Sequence, residues 1–248
     1  MKCGVVVFPG SNCDHDAYRA FKHVLGQEVV YLWHQDETIR DCELVVLPGG
    51  FAYGDYLRAG AVAALSPVMD AVRRHAEAGG RVLGICNGFQ VLLEAGLLPG
   101  AMRRNATLRF QCREVWLRVE RDDLPFTSGY RVGQVVRMPI AHADGNYEDS
   151  AAHLDALESA GQVVFRYVAP DGTDAPPDSP WNPNGSARGI AGIANRNGNV
   201  LGLMPHPERC AEEILGNTDG LALLSSAIEP IVRGATADWA GTVAGAGH

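Results

Sequence analysis

Short, unbroken apolar runs punctuated by glycine and proline recur along the first half of the chain. Val5-Val6-Val7-Phe8 is the first, and Pro9-Gly10-Ser11-Asn12 ends it. Val29 to Trp33 and Leu44-Val45-Val46-Leu47 follow, the latter stopped by Pro48-Gly49-Gly50. Val82 to Ile85 is the next. Runs of this length between turn formers read as strands buried on both faces. Between them the apolar period lengthens. Ala17, Phe21, Val24 and Leu25 share a helical face, with Asn12 or Asp14 as the candidate N-cap. Ala59 to Ala78 reads as a long amphipathic helix ended by Gly79-Gly80, where Pro67 is tolerable only as a kink or a new first turn. Phe89 to Ala95 is helix-compatible. Strands alternating with helices predict an α/β fold: a three-layer, doubly wound, flavodoxin-like, mostly parallel sheet.

The second half adds β-strands. Val115 to Val119, Gln134 to Met138 and Val163 to Val168 are candidates. Asp171 to Pro183 contains Pro176, Pro177, Pro180 and Pro183 and reads as a loop. Gly189 to Ile193 and Asn199 to Met204 predict a hairpin joined through Asn197-Gly198. A last helix is expected from Gly220 to Val232. The segment from Gly234 to His248 is small and polar, so one domain over 1–233 and a disordered tail over 234–248 are expected.

Composition narrows the classes. The net charge is -8 and the only lysines are Lys2 and Lys22, so the basic footprint of a nucleic-acid binder is missing. No stretch approaches the roughly 20 apolar residues of a membrane span. The apolar run after Met1 is too short for a secretory signal, which sets the expected location as cytoplasmic. None of the six cysteines forms a C-x-x-C pair, so reduced thiols and no metal are expected.

One cysteine stands apart. Gly84-Ile85-Cys86-Asn87-Gly88 joins the Val82–Ile85 strand to the following helix. This is the setting of a nucleophile elbow, usually G-x-S-x-G, with sulfur in place of oxygen. Gly84 and Gly88 leave room around a strained turn, and the positive helix end favours a reactive thiolate. After the last strand comes Met204-Pro205-His206-Pro207-Glu208-Arg209. Pro207 pushes His206 into an extended conformation, where residues two apart point the same way. His206 and Glu208 then suit a base held by a carboxylate. Pro48-Gly49-Gly50 lies at the carboxyl end of a strand, where open α/β sheets bind ligands. The Gly50 and Asn87 N–H groups are the candidate oxyanion donors. Plainer readings exist for each part: an inert buried thiol, a solvated loop histidine, a simple strand-exit turn. Their convergence on one sheet edge favours acyl transfer through a thioester, with the amide or ester substrate left open.

These segments resemble the class I, triad-type glutamine amidotransferases. Within them the chain is similar to the family of glutaminase subunits of phosphoribosylformylglycinamidine synthases. The resemblance rests on Phe8 to Asp14, Leu47 to Asp55, Gly84 to Gln90, Pro139 to His142, Asn182 to Ser186 and Met204 to Arg209. It implies that Cys86 attacks L-glutamine and that His206 and Glu208 complete a triad. It also implies that Gln90 and the segment Asn105 to Cys112, with Phe110, hold the substrate. Thr107 replaces a serine of that segment. Where the family often reads Pro-Ile-Ala-His-Gly-Glu-Gly-Arg-Tyr, this chain has Ala143-Asp144-Gly145-Asn146-Tyr147 after His142, a departure in a segment expected to face the partner. The resemblance further implies that ammonia passes to a large synthetase subunit, with a small accessory subunit in the same complex. No G-x-x-x-x-G-K-[ST] stretch occurs, so no cofactor is expected in this chain, and ATP and Mg are expected on the synthetase. A γ-glutamyl hydrolase or cysteine peptidase on the same fold, or a catalytically silent interaction subunit, are the alternatives.

Overall fold

The computed structural model describes residues 1–229. The expected end of the domain at 233, the tail over 234–248 and the last residues of the final predicted helix lie outside them.

The predicted apolar runs form strands. They are β1 (Lys2–Val7), β2 (Glu28–Trp33), β3 (Leu44–Leu47) and β4 (Arg81–Ile85). Three helices interleave with them: α1 (Asp14–Arg19), α2 (Val68–Glu77) and α3 (Asn87–Glu94). The second half contributes β5 (Ala101–Arg103), β6 (Gln111–Val119), β7 (Val135–His142), β8 (Asn146–Glu148), α4 (Ala151–Ser159), β9 (Val163–Val168), β10 (Ile190–Ala194), β11 (Val200–Leu203) and α5 (Leu221–Ile228).

Nine strands form one sheet in the order β2-β1-β3-β4-β11-β10-β9-β6-β7, and β5 pairs with β8 in a small second sheet. From β2 to β11 every neighbouring pair is parallel. This half carries the doubly wound, flavodoxin-like order. From β11 onward the neighbours run antiparallel. Among the described residues, no helix is long and apolar enough to cross a membrane.

The core explains the parallel half. Every residue of β3 is 0% exposed, because helices cover the sheet and both side-chain directions meet protein. Burying each such valine or leucine contributes roughly 1.5–3 kcal/mol. Helix α3 packs on β3, β4 and β11. A Cβ on Gly88 would lie 1.9 Å from the Leu47 carbonyl oxygen, so only glycine admits this helix so close to β3. Gly84 is similarly pressed, 2.5 Å from Leu92 Cδ1.

Several local expectations are corrected. The N-cap of α1 is Cys13, not Asn12 or Asp14, and no side chain caps it. The helix continues as a π-turn over Ala20–Val24. The long helix over 59–78 is broken: a 3-10 turn covers Ala63–Leu65, and Pro67 starts α2 as its N-cap. Proline lacks the N–H an interior turn needs, but its fixed φ suits a helix start.

Candidate active site

The sheet register assembles the site. Leu47 of β3 lies beside Gly84 of β4, and Leu203 of β11 lies beside Ile85. These three strands are neighbours and parallel, so their exit loops emerge together at the carboxyl edge. Gly49-Gly50, Cys86 and His206 therefore meet although they are far apart in the chain. The Cys86 N–H donates to the Leu203 carbonyl at 2.8 Å, tying the elbow to the strand that delivers His206. The His206 N–H donates to the Pro139 carbonyl at 2.8 Å, fixing the loop from the other side.

Cys86 has φ 51° and ψ -106°. A side chain rarely adopts this conformation, and it costs roughly 1–3 kcal/mol. The sharp turn lifts the sulfur over the N-terminus of α3. The thiol makes a long contact, 3.8 Å, to the Ala141 carbonyl oxygen.

His206 Nδ1 and Glu208 Oε1 are 2.6 Å apart, and both side chains are sealed from solvent. The pairing was expected, but its geometry differs. Glu208 lies in a 3-10 turn, Pro207–Arg209, rather than in extended chain. His206 itself is non-helical, as Pro207 requires. Nδ1 engages Glu208, leaving Nε2 as the working nitrogen, and Nε2 has no hydrogen-bond partner among the described residues. Burial opposes charge on this ring, yet the Glu208 carboxylate and the Cys86 sulfur outweigh burial and push His206 up to about 10.

Gly49 shows how tightly the parts converge. A Cβ there would lie 2.7 Å from His206 Cε1, 3.2 Å from Cys13 Sγ and 3.4 Å from Cys86 Cβ. Gly50 has φ 137°, a conformation suited to glycine. Its N–H and that of Asn87 bond to no acceptor among the described residues. Neither N–H is therefore committed to a partner among the described residues. The Asn87 side chain couples the two loops: Oδ1 accepts from Ala52 N–H at 3.0 Å, and Nδ2 donates to Gln90 Oε1 at 2.8 Å and Asp55 Oδ1 at 3.2 Å.

Gln90 is buried and Phe110 half-exposed. Gln90 Nε2 donates to the Asp144 carbonyl at 2.6 Å, so its amide links α3 to the loop after β7. Phe110 lies against Phe51 with ring centroids 6.5 Å apart, forming an aromatic edge beside the Gly50 loop. An open cleft of about 800 Å³ runs past Asp55, Asp144 and Asn105. Burial, then the neighbouring Asp144 charge, pushes Asp55 up to about 6, despite the opposing Asn87 hydrogen bond.

The resemblance marked the Asn105 and Asn182–Ser186 segments, but not the contacts they make. Asn105 is fully buried; it donates to the carbonyls of His142 and Arg109 and accepts from Gly145 N–H. Asn184 Nδ2 and Ser186 Oγ donate to the Gly145 carbonyl at 2.6 and 3.1 Å. The Asn-Pro-Asn-Gly-Ser segment thus holds the loop that carries Asp144, a job visible in sequence only as clustered amides beside glycines. His142 is buried, and desolvation, then the His206 charge, lowers it to about 3.

A cysteine on a strand–helix elbow and a histidine–glutamate pair at the next strand exit define a triad-type hydrolytic site. The sequence pattern of the CobB/CobQ-like glutamine amidotransferase domain matches residues 1–220. Phosphoribosylformylglycinamidine synthase subunit PurQ of Moorella thermoacetica is 59% identical over 94% of this chain and 98% of that protein. PurQ of Gloeobacter violaceus is 56% identical over 92% of this chain and 97% of its own length. A chain in the structure of PurLQS from Thermotoga maritima superposes with a TM-score of 0.80 at 45% identity, covering 91% of this chain and 96% of that one. The chain belongs to the PurQ family of phosphoribosylformylglycinamidine synthase subunits.

Proposed function

We propose that this chain is the glutaminase subunit of phosphoribosylformylglycinamidine synthase, acting in the cytoplasm in purine biosynthesis. It hydrolyses L-glutamine to glutamate and ammonia. The ammonia goes to a large synthetase subunit that carries ATP and Mg and converts formylglycinamide ribonucleotide to the formylglycinamidine. A small accessory subunit belongs to the same complex.

Cys86 Sγ attacks the side-chain carboxamide carbon. The oxygen that gains charge turns to the Gly50 and Asn87 N–H groups, an arrangement worth several kcal/mol, roughly 3–4 for one such donor. His206 Nε2 takes the thiol proton and passes it to the departing ammonia. Water, relieved of a proton by the same nitrogen, then cleaves the glutamyl thioester. Glu208 fixes the ring through Nδ1 and balances its charge. Gln90 supports the substrate-side wall through its remaining oxygen lone pair, and Phe110 covers the glutamine chain.

The observation that carries this reading is the buried His206–Glu208 pair, 2.6 Å apart, on a ring that also feels the Cys86 sulfur. The test is glutamate release from glutamine, with and without the synthetase subunit and its ligands. Weak activity from the isolated chain and strong activity from the complex are expected. Full, partner-independent hydrolysis of peptides or polyglutamates would instead favour a free-standing hydrolase.

A further inference from the structure

The triad leaves one atom unexplained. Glu208 Oε2 is buried and has no hydrogen-bond partner among the described residues. A carboxylate oxygen sealed from water without a donor is unfavourable. The proposed reaction uses His206 Nε2, the neighbouring orphan, but gives Oε2 nothing to do.

A second cysteine stands beside it. Cys13 Sγ, a carboxylate oxygen of Glu208 and a ring nitrogen of His206 lie within 4.8 Å of one another, all buried. Arg209 Nη2 donates to Cys13 Sγ at 2.9 Å, and its Nε donates to Asp16 Oδ2 at 3.1 Å. The sulfur also lies 3.3 Å from Asn12 Oδ1. Burial, against the opposing Arg209 charge, pushes the Cys13 thiol up to about 12, so it keeps its proton and remains a donor. By composition the trio suits a thiophilic divalent ion. Here a guanidinium already stands on the sulfur, and the carboxylate is committed to the imidazole. A cation would have to displace both.

We propose that Cys13 is a positioning residue of the triad, its S–H shared between Asn12 Oδ1 and the unpartnered Oε2 of Glu208. The thiol holds the carboxylate against His206, and Arg209 holds the thiol. The Cys13 backbone is anchored beside the pair, its N–H donating to the Gly49 carbonyl at 3.3 Å. This inference rests on the glutaminase reading and adds a residue to it.

The experiment compares Cys13→Ala and Cys13→Ser in the assembled complex, measuring glutaminase kcat and KM and thermal stability. Removing the donor is expected to lower kcat about tenfold with KM within about twofold, as for an interaction that matters only during turnover. Serine, which keeps a donor, should restore most of the loss. A role in packing alone predicts equal damage, because both variants lose the sulfur's volume; that result, or an undiminished kcat in Cys13→Ala, overturns the proposal. If Cys13→Ala does not fold, Cys13→Thr and Cys13→Val give the same comparison with nearly equal volumes, and equal kcat values overturn it. A wild-type complex without glutaminase activity would instead reject the parent reading.

Discussion

Cys86 combines strain and reach. Its positive φ lifts the sulfur off the sheet, toward a ring whose free nitrogen has no other use. Cys86→Ala should therefore abolish labelling by a glutamine-mimicking electrophile and lower glutaminase activity by about 10⁴-fold or more. Cys112 is the one exposed cysteine, so labelling there in the wild type would refute the assignment. Glu208→Gln should cost roughly 10²–10⁴-fold in kcat, because the ring loses its counterion and its fixed tautomer. The pair also sets a pH dependence. His206 is raised from 6.5 to about 10, so between these values the folded state binds more protons than the unfolded one. Its stabilisation is complete below 6.5 and is lost as pH climbs through 10. The melting temperature should accordingly fall as pH rises from 6.5 toward 9.0, the ordinary thiol value above which buried cysteines also contribute. The fall should be shallower in Glu208→Gln, and identical slopes in differential scanning calorimetry would contradict the ion pair.

At the scale of elements, α3 and the strand exits carry the site. Gly88→Ala would drive a Cβ into the Leu47 carbonyl at 1.9 Å. A loss of about 2 kcal/mol or more is expected in denaturant titrations, since backbone rather than a flexible side chain must yield. Gly49→Ala should lower both stability and kcat, because its Cβ would press on the buried His206 ring at 2.7 Å and on Cys86 at 3.4 Å. Much of this layer was legible in the sequence. Short apolar runs bounded by proline and glycine, such as Leu44–Leu47, read as strands buried on both sides, and the Cys86 elbow follows from its flanking glycines. Pro207 correctly removed His206 from a helix, although Glu208 reached it through a 3-10 turn. What stayed hidden depends on pairing between distant segments. The bond from His206 N–H to Pro139, the grip of Asn184 and Ser186 on Gly145, and the approach of Arg209 to Cys13 leave no local pattern. Helix α4 also escaped notice: it buries only Leu154 and Leu157, too short a stripe to stand out, although Ser150 caps it.

For the whole molecule, the parallel half of the sheet brings three exit loops to one edge, and the antiparallel half braces them through β7 and its following loop. That division places chemistry next to the segment, Ala143 to Tyr147, in which this chain departs from the usual family pattern. Complex formation with the synthetase should raise glutaminase activity, and exchange of Asp144 and Asn146 for the family's Glu and Arg should alter binding to that partner more than activity once bound. Direct titration of the two subunits checks this. A covalent glutamyl intermediate at Cys86 is the central requirement of the proposed reaction. Acid-quenching the complex during turnover of glutamine and mapping the thioester by mass spectrometry tests it most directly. One glutamyl group on the Cys86 peptide, absent in Cys86→Ala and accumulating in His206→Asn if deacylation is slowed more than acylation, is the predicted result. Steady ammonia release with an adduct on another cysteine, or with full activity in Cys86→Ala, would contradict it.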